Sequence, residues 1–391
     1  MRTDFAGRRA PLFWLALKTG LFTVLTLGIY RFWMKTRLRR WYWSAIRPGG
    51  QPLEYVGDPI EKLLGFLIAV VILAFYIGIV NLLLMFLSFS LFQGNGAAYL
   101  LSFLGVIPLW FYARYRARRY ILARTRWRGL RFGLAPGAWG YAGRALWHWT
   151  VTLLSLGLLL PRMTFHLEKY RTDRTSYGTA MMVQGGRWQM LYPAMRPLFG
   201  AAALTGVAAL ALNFGPTPAP GIGLAMLAAA AAVYGLVHYR VRTLEMLTAN
   251  KTLDGVALTL DASPFRILMI HVLGYLLAGV AILLPLMVLG FVIMGLHFAE
   301  LATESGATQI VLLENLPRWL LIGVSAMLYF TIFLIWSALT HTFVTMPVTR
   351  HYARGLRVLN PARIEAIRQR PRDEVVQAEG FAEALDVGAS I

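Results

Sequence analysis

Six stretches of the chain hold enough consecutive apolar residues to cross a bilayer: Leu63–Phe92, Ala97–Tyr112, Leu198–Phe214, Gly221–Val237, Ile267–Leu296 and Trp319–Thr345. A spanning helix needs about 20 such residues. The first and fifth stretches are long enough to tilt or to project beyond the hydrocarbon core. Polar connectors between them alternate in character. Arg31–Asp58 holds six Lys/Arg, Arg114–Arg144 nine and no acid, Arg162–Arg196 six, Arg240–Arg266 four, and the region from Arg350 onward seven. The intervening connectors, Gln93–Ala98 and Asn213–Gly221, are uncharged, and Leu296–Arg318 carries Glu300, Glu304 and Glu314 against Arg318. Basic loops are retained on the cytoplasmic side. The pattern therefore predicts six transmembrane helices in three hairpins, each beginning and ending inside, with a cytoplasmic C-terminus.

Two further apolar stretches, Pro11–Tyr30 and Ala145–Leu160, do not fit as crossings. If Ala145–Leu160 crossed, Arg162–Arg196 would lie outside and every later loop would carry the wrong sign. It reads as re-entrant or interfacial. Pro11–Tyr30 has basic flanks and Lys18 within it, and is assigned the same state; its rival is a true span with the N-terminus outside. The two stretches resemble each other, ending Leu25-Thr26-Leu27-Gly28 and Leu154-Ser155-Leu156-Gly157. Each precedes a basic loop and a helical hairpin. This predicts a duplicated unit, residues 1–136 and 137–262, then a third hairpin over 263–346 and a cytoplasmic tail over 347–391.

The basic loops share a weaker signal. A Thr lies three or four residues before Gly129, Gly178 and Gly255, and short β-prone runs follow: Leu130–Phe132, Ala180–Val183 and Val256–Leu260. Glycine permits the positive φ of a tight turn. Small cytoplasmic β-hairpins are expected there, able to pair into a sheet-like cap. The fold class is otherwise all-α integral membrane.

Composition agrees. The chain is 58% hydrophobic and only 14% charged, against about 25% charged in an ordinary soluble domain. The net charge of +20 is read first as topology and then as attraction to anionic lipid; no nucleic-acid partner is expected. The absence of cysteine excludes disulfides, thiolate metal sites and a Cys nucleophile.

Several blocks carry a family resemblance: LTLGIYRFW (Leu25–Trp33), PLEYVGDP (Pro52–Pro59), Gly65-Phe66, Arg114–Phe132 with its TRWRG core, Leu154–Gly157, HLEKYRTDRTSYG (His166–Gly178), Arg242–Leu260 and Ala384–Gly388. Through them the chain resembles the YjgN family of bacterial inner-membrane proteins, whose function is unknown. The resemblance covers nearly the whole chain and departs from the pattern at Leu159-Leu160-Pro161 and in the Pro-rich Asn213–Gly221. It implies location and fold; it carries no catalytic residues.

No Walker loop, His-Glu-x-x-His or Gly-x-Ser-x-Gly is present, and the seven His show no metal-ligand spacing. No catalytic residue, metal or cofactor is expected. Polar residues within apolar stretches are the better candidates, since burying them in lipid is costly: Lys18, His148, Asn81 and His271. A second set is suited to anionic lipid. Arg31, Lys35 and Arg39 recur every four residues in the aromatic-rich segment Tyr30–Trp43, and Arg118, Arg119, Arg126 and Arg128 crowd the next basic loop. Small residues at four-residue spacing, Ala201, Thr205 and Ala209, predict close helix packing. The tail past Arg368 turns acidic. Two functions are expected from these features: a transporter or permeation protein for a small solute or lipid-linked molecule, or a non-transporting scaffold whose basic loops dock anionic lipid or an acidic partner.

Overall fold

A computed structural model describes residues 1–92, 97–302 and 318–370. The chain forms two compact units. One comprises Met1–Ala6, Lys35–Phe265 and the chain from Arg350 onward; the other comprises Gly7–Met34 and Arg266–Thr349. Helices dominate: α1 (Arg9–Leu25), α2 (Arg31–Ala45), α3 (Pro59–Phe92), α4 (Ala97–Ala123), α5 (Ala138–Leu154), α6 (Leu160–Thr172), α7 (Arg196–Phe214), α8 (Pro218–Ala249), α9 (Pro264–Ala302), α10 (Arg318–Thr340) and α11 (Met346–Gly355). A short 3-10 segment, Trp188–Met195, precedes α7.

The expected all-α class needs correction. Ten strands are present among the described residues: β1 (Thr3–Phe5), β2 (Ile46–Pro48), β3 (Leu53–Tyr55), β4 (Thr125–Trp127), β5 (Leu130–Leu134), β6 (Thr175–Tyr177), β7 (Ala180–Gln184), β8 (Lys251–Leu253), β9 (Val256–Leu260) and β10 (Leu356–Leu359). Eight of them, β3 to β10 in chain order, form one antiparallel sheet. Three hairpins fall where the Thr…Gly pattern placed them. Arg128-Gly129 (φ 49° and 78°) and Asp254-Gly255 (φ 47° and 82°) hold both turn residues in the left-handed region, the geometry whose twist matches that of paired strands. Gly178, at φ 54°, opens the third turn.

What the local pattern did not contain is how the hairpins join. β5 pairs with β6 (Gly133 opposite Ser176), β7 with β8, and β9 with β10. Helical excursions separate strands that lie side by side: α3–α4 between β3 and β4, α5–α6 between β5 and β6, α7–α8 between β7 and β8, and α9 to α11 between β9 and β10. Each excursion leaves the sheet and returns to it. The N-terminal excursion follows the same rule, because β1 pairs with β2 (Phe5 opposite Ile46) on either side of α1 and α2. The Met1 ammonium donates to Val358 O at 2.7 Å. Trp127, Tyr177, Ala180, Val256, Val358, Ile364 and Ile367 form the apolar core beside the sheet, and the Tyr177 hydroxyl donates to Trp127 O at 2.9 Å.

Five helical segments among the described residues are long and apolar enough to cross a membrane: Pro59–Leu87, Trp188–Phe214, Pro218–Ala249, Pro264–Leu283 and Tyr329–Gly355. They coincide with five of the six expected spans. The remaining one, Ala97–Tyr112, begins α4, and most of its side chains lie outside the described residues. α7 and α8 approach closely because glycine sits at the contacts: a Cβ on Gly235 would lie 3.2 Å from Leu198 N, and one on Gly221 2.8 Å from Leu212 N. In the second unit α1 lies along α10, where a Cβ on Gly20 would touch Leu334 Cγ at 3.4 Å.

α1 and α5 both run into five-residue turns of one geometry. Leu27 (φ 50°) and Gly28 (φ 92°) follow α1; Leu156 (φ 51°) and Gly157 (φ 87°) follow α5. Gly28 N donates to Thr23 O at 2.7 Å, and Gly157 N to Thr152 O at 2.8 Å. Leu27 and Leu156 are each 94% exposed.

Candidate functional site

The end of α4, the β4–β5 hairpin, β6 and the segment reaching Arg370 enclose a cavity of about 180 Å³. Among the described residues its charged lining is basic: Arg119, Arg124, Arg126, Arg131 and Arg370, with Ser176 and Gln369 as neutral polar neighbours. The register explains part of the concentration. Arg126 and Arg131 are directly opposed on β4 and β5, so their side chains share one face. Arg119 and Arg124 enter from the last turns of α4. Gly133 keeps the floor open, since a Cβ there would lie 2.7 Å from Ser176 Oγ. One wall is the strand-like run before Arg370: Thr179 N donates to Arg368 O at 2.9 Å, and Arg131 N donates to Gln369 Oε1 at 3.0 Å.

Two acids border this group: Glu54 lies opposite Arg126 on β3, and Glu61 reaches Arg124 from α3. Glu61 forms an ion pair with Arg124 and accepts a hydrogen bond from the Tyr120 hydroxyl at 3.0 Å. The Nε–H groups of Arg119 and Arg126 are buried, with no hydrogen-bond acceptor among the described residues. A buried N–H without an acceptor is costly, and an oxyanion with paired oxygens matches the planar fork of a guanidinium.

A second buried cluster lies between α4, α6 and β8. Glu168 Oε2 accepts from Arg171 Nη2 at 2.5 Å, and Glu168 Oε1 from Lys251 Nζ at 2.6 Å. Burial pushes the Glu168 carboxyl up, but Arg171, Lys251 and Arg118 together outweigh it and hold the group well below the usual carboxylate range. Three cations thus share one carboxylate. Tyr115, Tyr141 and Tyr170 pack beside it with ring centroids 5.4–6.0 Å apart, and the Tyr170 hydroxyl donates to Gly137 O at 2.9 Å. This cluster is a structural tie, built from groups already matched to one another.

The sequence candidates scatter. Lys18 is exposed on α1, off the face that buries Leu12, Ala16 and Thr19. His271 lies within α9, its Nδ1 2.8 Å from Ile267 O. The Asn81 side chain lies outside the described residues. His148 is 8% exposed and stacks on His166, centroids 4.9 Å apart at 7°. Lys18 and His271 belong to the second unit and His148 to the first. Among the basic set, Arg31 and Lys35 are half-buried on α2. Arg39 is turned inward, 1% exposed, donating to the Tyr55 hydroxyl at 3.1 Å. Arg118 faces the Glu168 cluster. Arg128 is exposed at the β4–β5 turn with its guanidinium 5.0 Å from the Trp127 ring centroid. Only Arg119 and Arg126 reach the cavity. Sequence reasoning missed Arg131, although a two-residue turn at Arg128-Gly129 places it opposite Arg126. It also missed Gln369 and Arg370, for which no local signal exists.

Among the described residues no group of three or more His, Cys, Asp or Glu is placed to hold a metal. No curated protein and no solved structure matches the chain. A family model described as a bacterial protein of unknown function, DUF898, matches residues 1–278, and the chain belongs to that family, the YjgN family of the sequence comparison.

Proposed function

We propose that this is a multi-pass protein of the bacterial inner membrane whose sheet faces the cytoplasm and binds anionic lipid headgroups. The carrying observation is the cavity walled by Arg119, Arg124, Arg126, Arg131 and Arg370, with no acidic lining among the described residues. The topology supports the sidedness. Paired strands cannot be divided between two sides of a membrane, because edge groups in hydrocarbon would go unsatisfied. Every helical excursion that leaves the sheet and returns must therefore cross an even number of times. Two crossings each fit α3–α4, α7–α8 and α9–α10. None fits α5–α6: α5 has 17 residues, roughly 25 Å of helix, against a hydrocarbon core of about 30 Å. The same holds for α1–α2, whose return arm bears Arg31, Lys35, Arg37, Arg39 and Arg40. Both excursions then read as hairpins that dip and return, and the excess of Lys/Arg in the sheet loops puts the sheet inside.

The scaffold reading is favoured over transport because the arginine-lined cavity offers an anion a binding site on the sheet. The test is lipid binding by the full chain in neutral detergent, using mixed micelles that contain either phosphatidylglycerol or phosphatidylcholine. Preferential binding of phosphatidylglycerol, weakening as salt rises, is expected. Equal binding of the two lipids, or binding indifferent to salt, would remove the proposal.

A further inference from the structure

We infer that the cavity at the β4–β5 hairpin is a phosphomonoester site: it takes one terminal phosphate, carried by a lipid headgroup or by a small soluble molecule. The inference rests on the anionic-ligand reading above and narrows it from a charge preference to a chemical group.

Four observations converge. First, the register sets Arg126 directly against Arg131. Glu54 lies opposite Arg126 on its other side, so the row holds two cations to one carboxylate and keeps a net positive charge for an anion. Second, the Nε–H groups of Arg119 and Arg126 are buried and lack acceptors among the described residues. Buried donors are normally satisfied, and Nε–H with a neighbouring Nη–H forms the fork that fits two phosphate oxygens. Third, the volume of about 180 Å³ lies below the range of roughly 300–1,000 Å³ typical of whole-ligand pockets. It suits a headgroup and leaves no room for acyl chains. Fourth, a neutral donor faces the cavity: the Ser176 hydroxyl lies opposite Gly133, whose missing side chain keeps that hydroxyl open to it. Arg124, already paired to Glu61, forms a wall and is not needed as a ligand. A phosphomonoester carries a charge of about −1.5 to −2 at neutral pH, a phosphodiester only about −1, so this concentration of arginine discriminates between them.

The full chain in neutral detergent is titrated with inorganic phosphate, glycerol 3-phosphate and glycerol, and with mixed micelles containing phosphatidic acid or phosphatidylglycerol. Phosphatidic acid, glycerol 3-phosphate or both should bind at least about tenfold more tightly than phosphatidylglycerol or glycerol. The phosphomonoester affinity should fall between pH 7 and pH 5.5 as the second phosphate proton is taken up near pH ~6. Binding of phosphatidic acid alone assigns a lipid source; binding of glycerol 3-phosphate assigns a soluble one; either supports the site. Arg126→Gln and Arg119→Gln should each weaken phosphomonoester binding about tenfold, and should weaken phosphatidylglycerol binding by a smaller factor, since a monoanion draws less on the paired guanidinium groups. Thermal melting guards against a folding artefact. Phosphate should raise the melting temperature of the native chain, and Arg126→Gln, compared with its own ligand-free melting temperature, should lose the phosphate shift. Phosphatidylglycerol binding without any phosphomonoester preference overturns this inference and leaves the broader reading standing. Loss of phosphatidylglycerol binding with the preference for glycerol 3-phosphate intact does the reverse. A phosphate shift that survives in Arg126→Gln also overturns the site.

Discussion

Lys251 Nζ sits 2.6 Å from Glu168 Oε1, joining the first residue of β8 to α6 across 83 positions of sequence. Arg171 holds the other carboxylate oxygen at 2.5 Å. The bond fixes the α5–α6 hairpin to the sheet, so the geometry of the helical excursions depends on one buried acid. Glu168→Gln leaves Arg118, Arg171 and Lys251 facing one another without a counter-charge. Breaking a buried pair from one side costs about 3–5 kcal/mol, and a loss of that size in denaturant or thermal unfolding is expected. Lys251→Met should cost less, because Arg171 still neutralises the carboxylate. Equal losses for the two variants would mean that the acid is not the centre of the cluster.

The same group sets an acid limit. Its folded carboxyl titrates well below the unfolded one, which lies near pH ~4.3. A depressed folded value means the stabilisation is complete above the unfolded value and is lost as pH falls from there toward the folded one. Melting temperature should therefore drop below about pH 4.5 in the native chain, and Glu168→Gln should flatten that limb. An unchanged acid limb in the variant would assign it to other carboxylates.

His148 and His166 predict a separate step at higher pH. Burial lowers both imidazoles; the neighbouring His166, Arg162 and Arg144 lower His148 further, and Arg162 and Lys169 lower His166 further. Both rings are then neutral in the folded chain near pH 7. Unfolded His binds a proton near pH ~6.5, so stability falls as pH drops below that value toward the folded one. Melting temperature measured from pH 7.5 to pH 5 should show this step, and His148→Phe should reduce it while preserving the stack, leaving the part that His166 contributes. A step of undiminished size in His148→Phe would place the titration elsewhere.

How much of this was legible in the sequence differs by element. The hairpin turns were, because Asp254-Gly255 and Arg128-Gly129 can do little else between β-prone runs. The sheet that unites them was not: β5 and β6 are adjacent in space yet separated by the whole α5–α6 hairpin, and no local pattern encodes such a pairing. The basic residues were visible, but their directions were not. Arg39 and Arg118 belong to stretches that read as lipid-facing, yet Tyr55 and Glu168, far along the chain, turn them inward. The cavity was half legible. Arg119 and Arg126 stood out as charges, Arg131 was reachable by counting across the turn, and Gln369 and Arg370 enter only because the chain returns after β10.

Leu27 and Leu156 make a prediction about depth. A leucine at φ near 50° is strained, by roughly 1–2 kcal/mol, and both side chains are 94% exposed. Leu25 and Ile29 flank the first at 68% and 56% exposure; Leu154 and Leu158 flank the second at 80% and 54%. Apolar tips of this kind suit hairpins that dip into lipid. The chain has no cysteine, so Leu27→Cys and Leu156→Cys each offer one labelling position. A fluorophore there, in proteoliposomes, should be quenched by nitroxides on the acyl chains and spared by aqueous iodide. Strong iodide quenching at either tip would place that turn in water.

The cysteine-free background also tests the sidedness on which the whole arrangement depends. Arg128 and Asp254 occupy turns of one continuous sheet, so Arg128→Cys and Asp254→Cys must lie on the same side of the membrane. Thr217 precedes Pro218 in the connector between α7 and α8, at the far end of a hairpin proposed to cross twice. In intact inner-membrane vesicles of known orientation, a membrane-impermeant maleimide should label the two sheet turns together and leave Thr217→Cys untouched. In whole cells with a permeabilised outer membrane the result should invert. Arg128→Cys and Asp254→Cys labelling from opposite sides would be incompatible with a single sheet. Joint labelling of all three positions from one side would mean that α7 and α8 do not cross, and the even-crossing argument for the neighbouring excursions would fall with them.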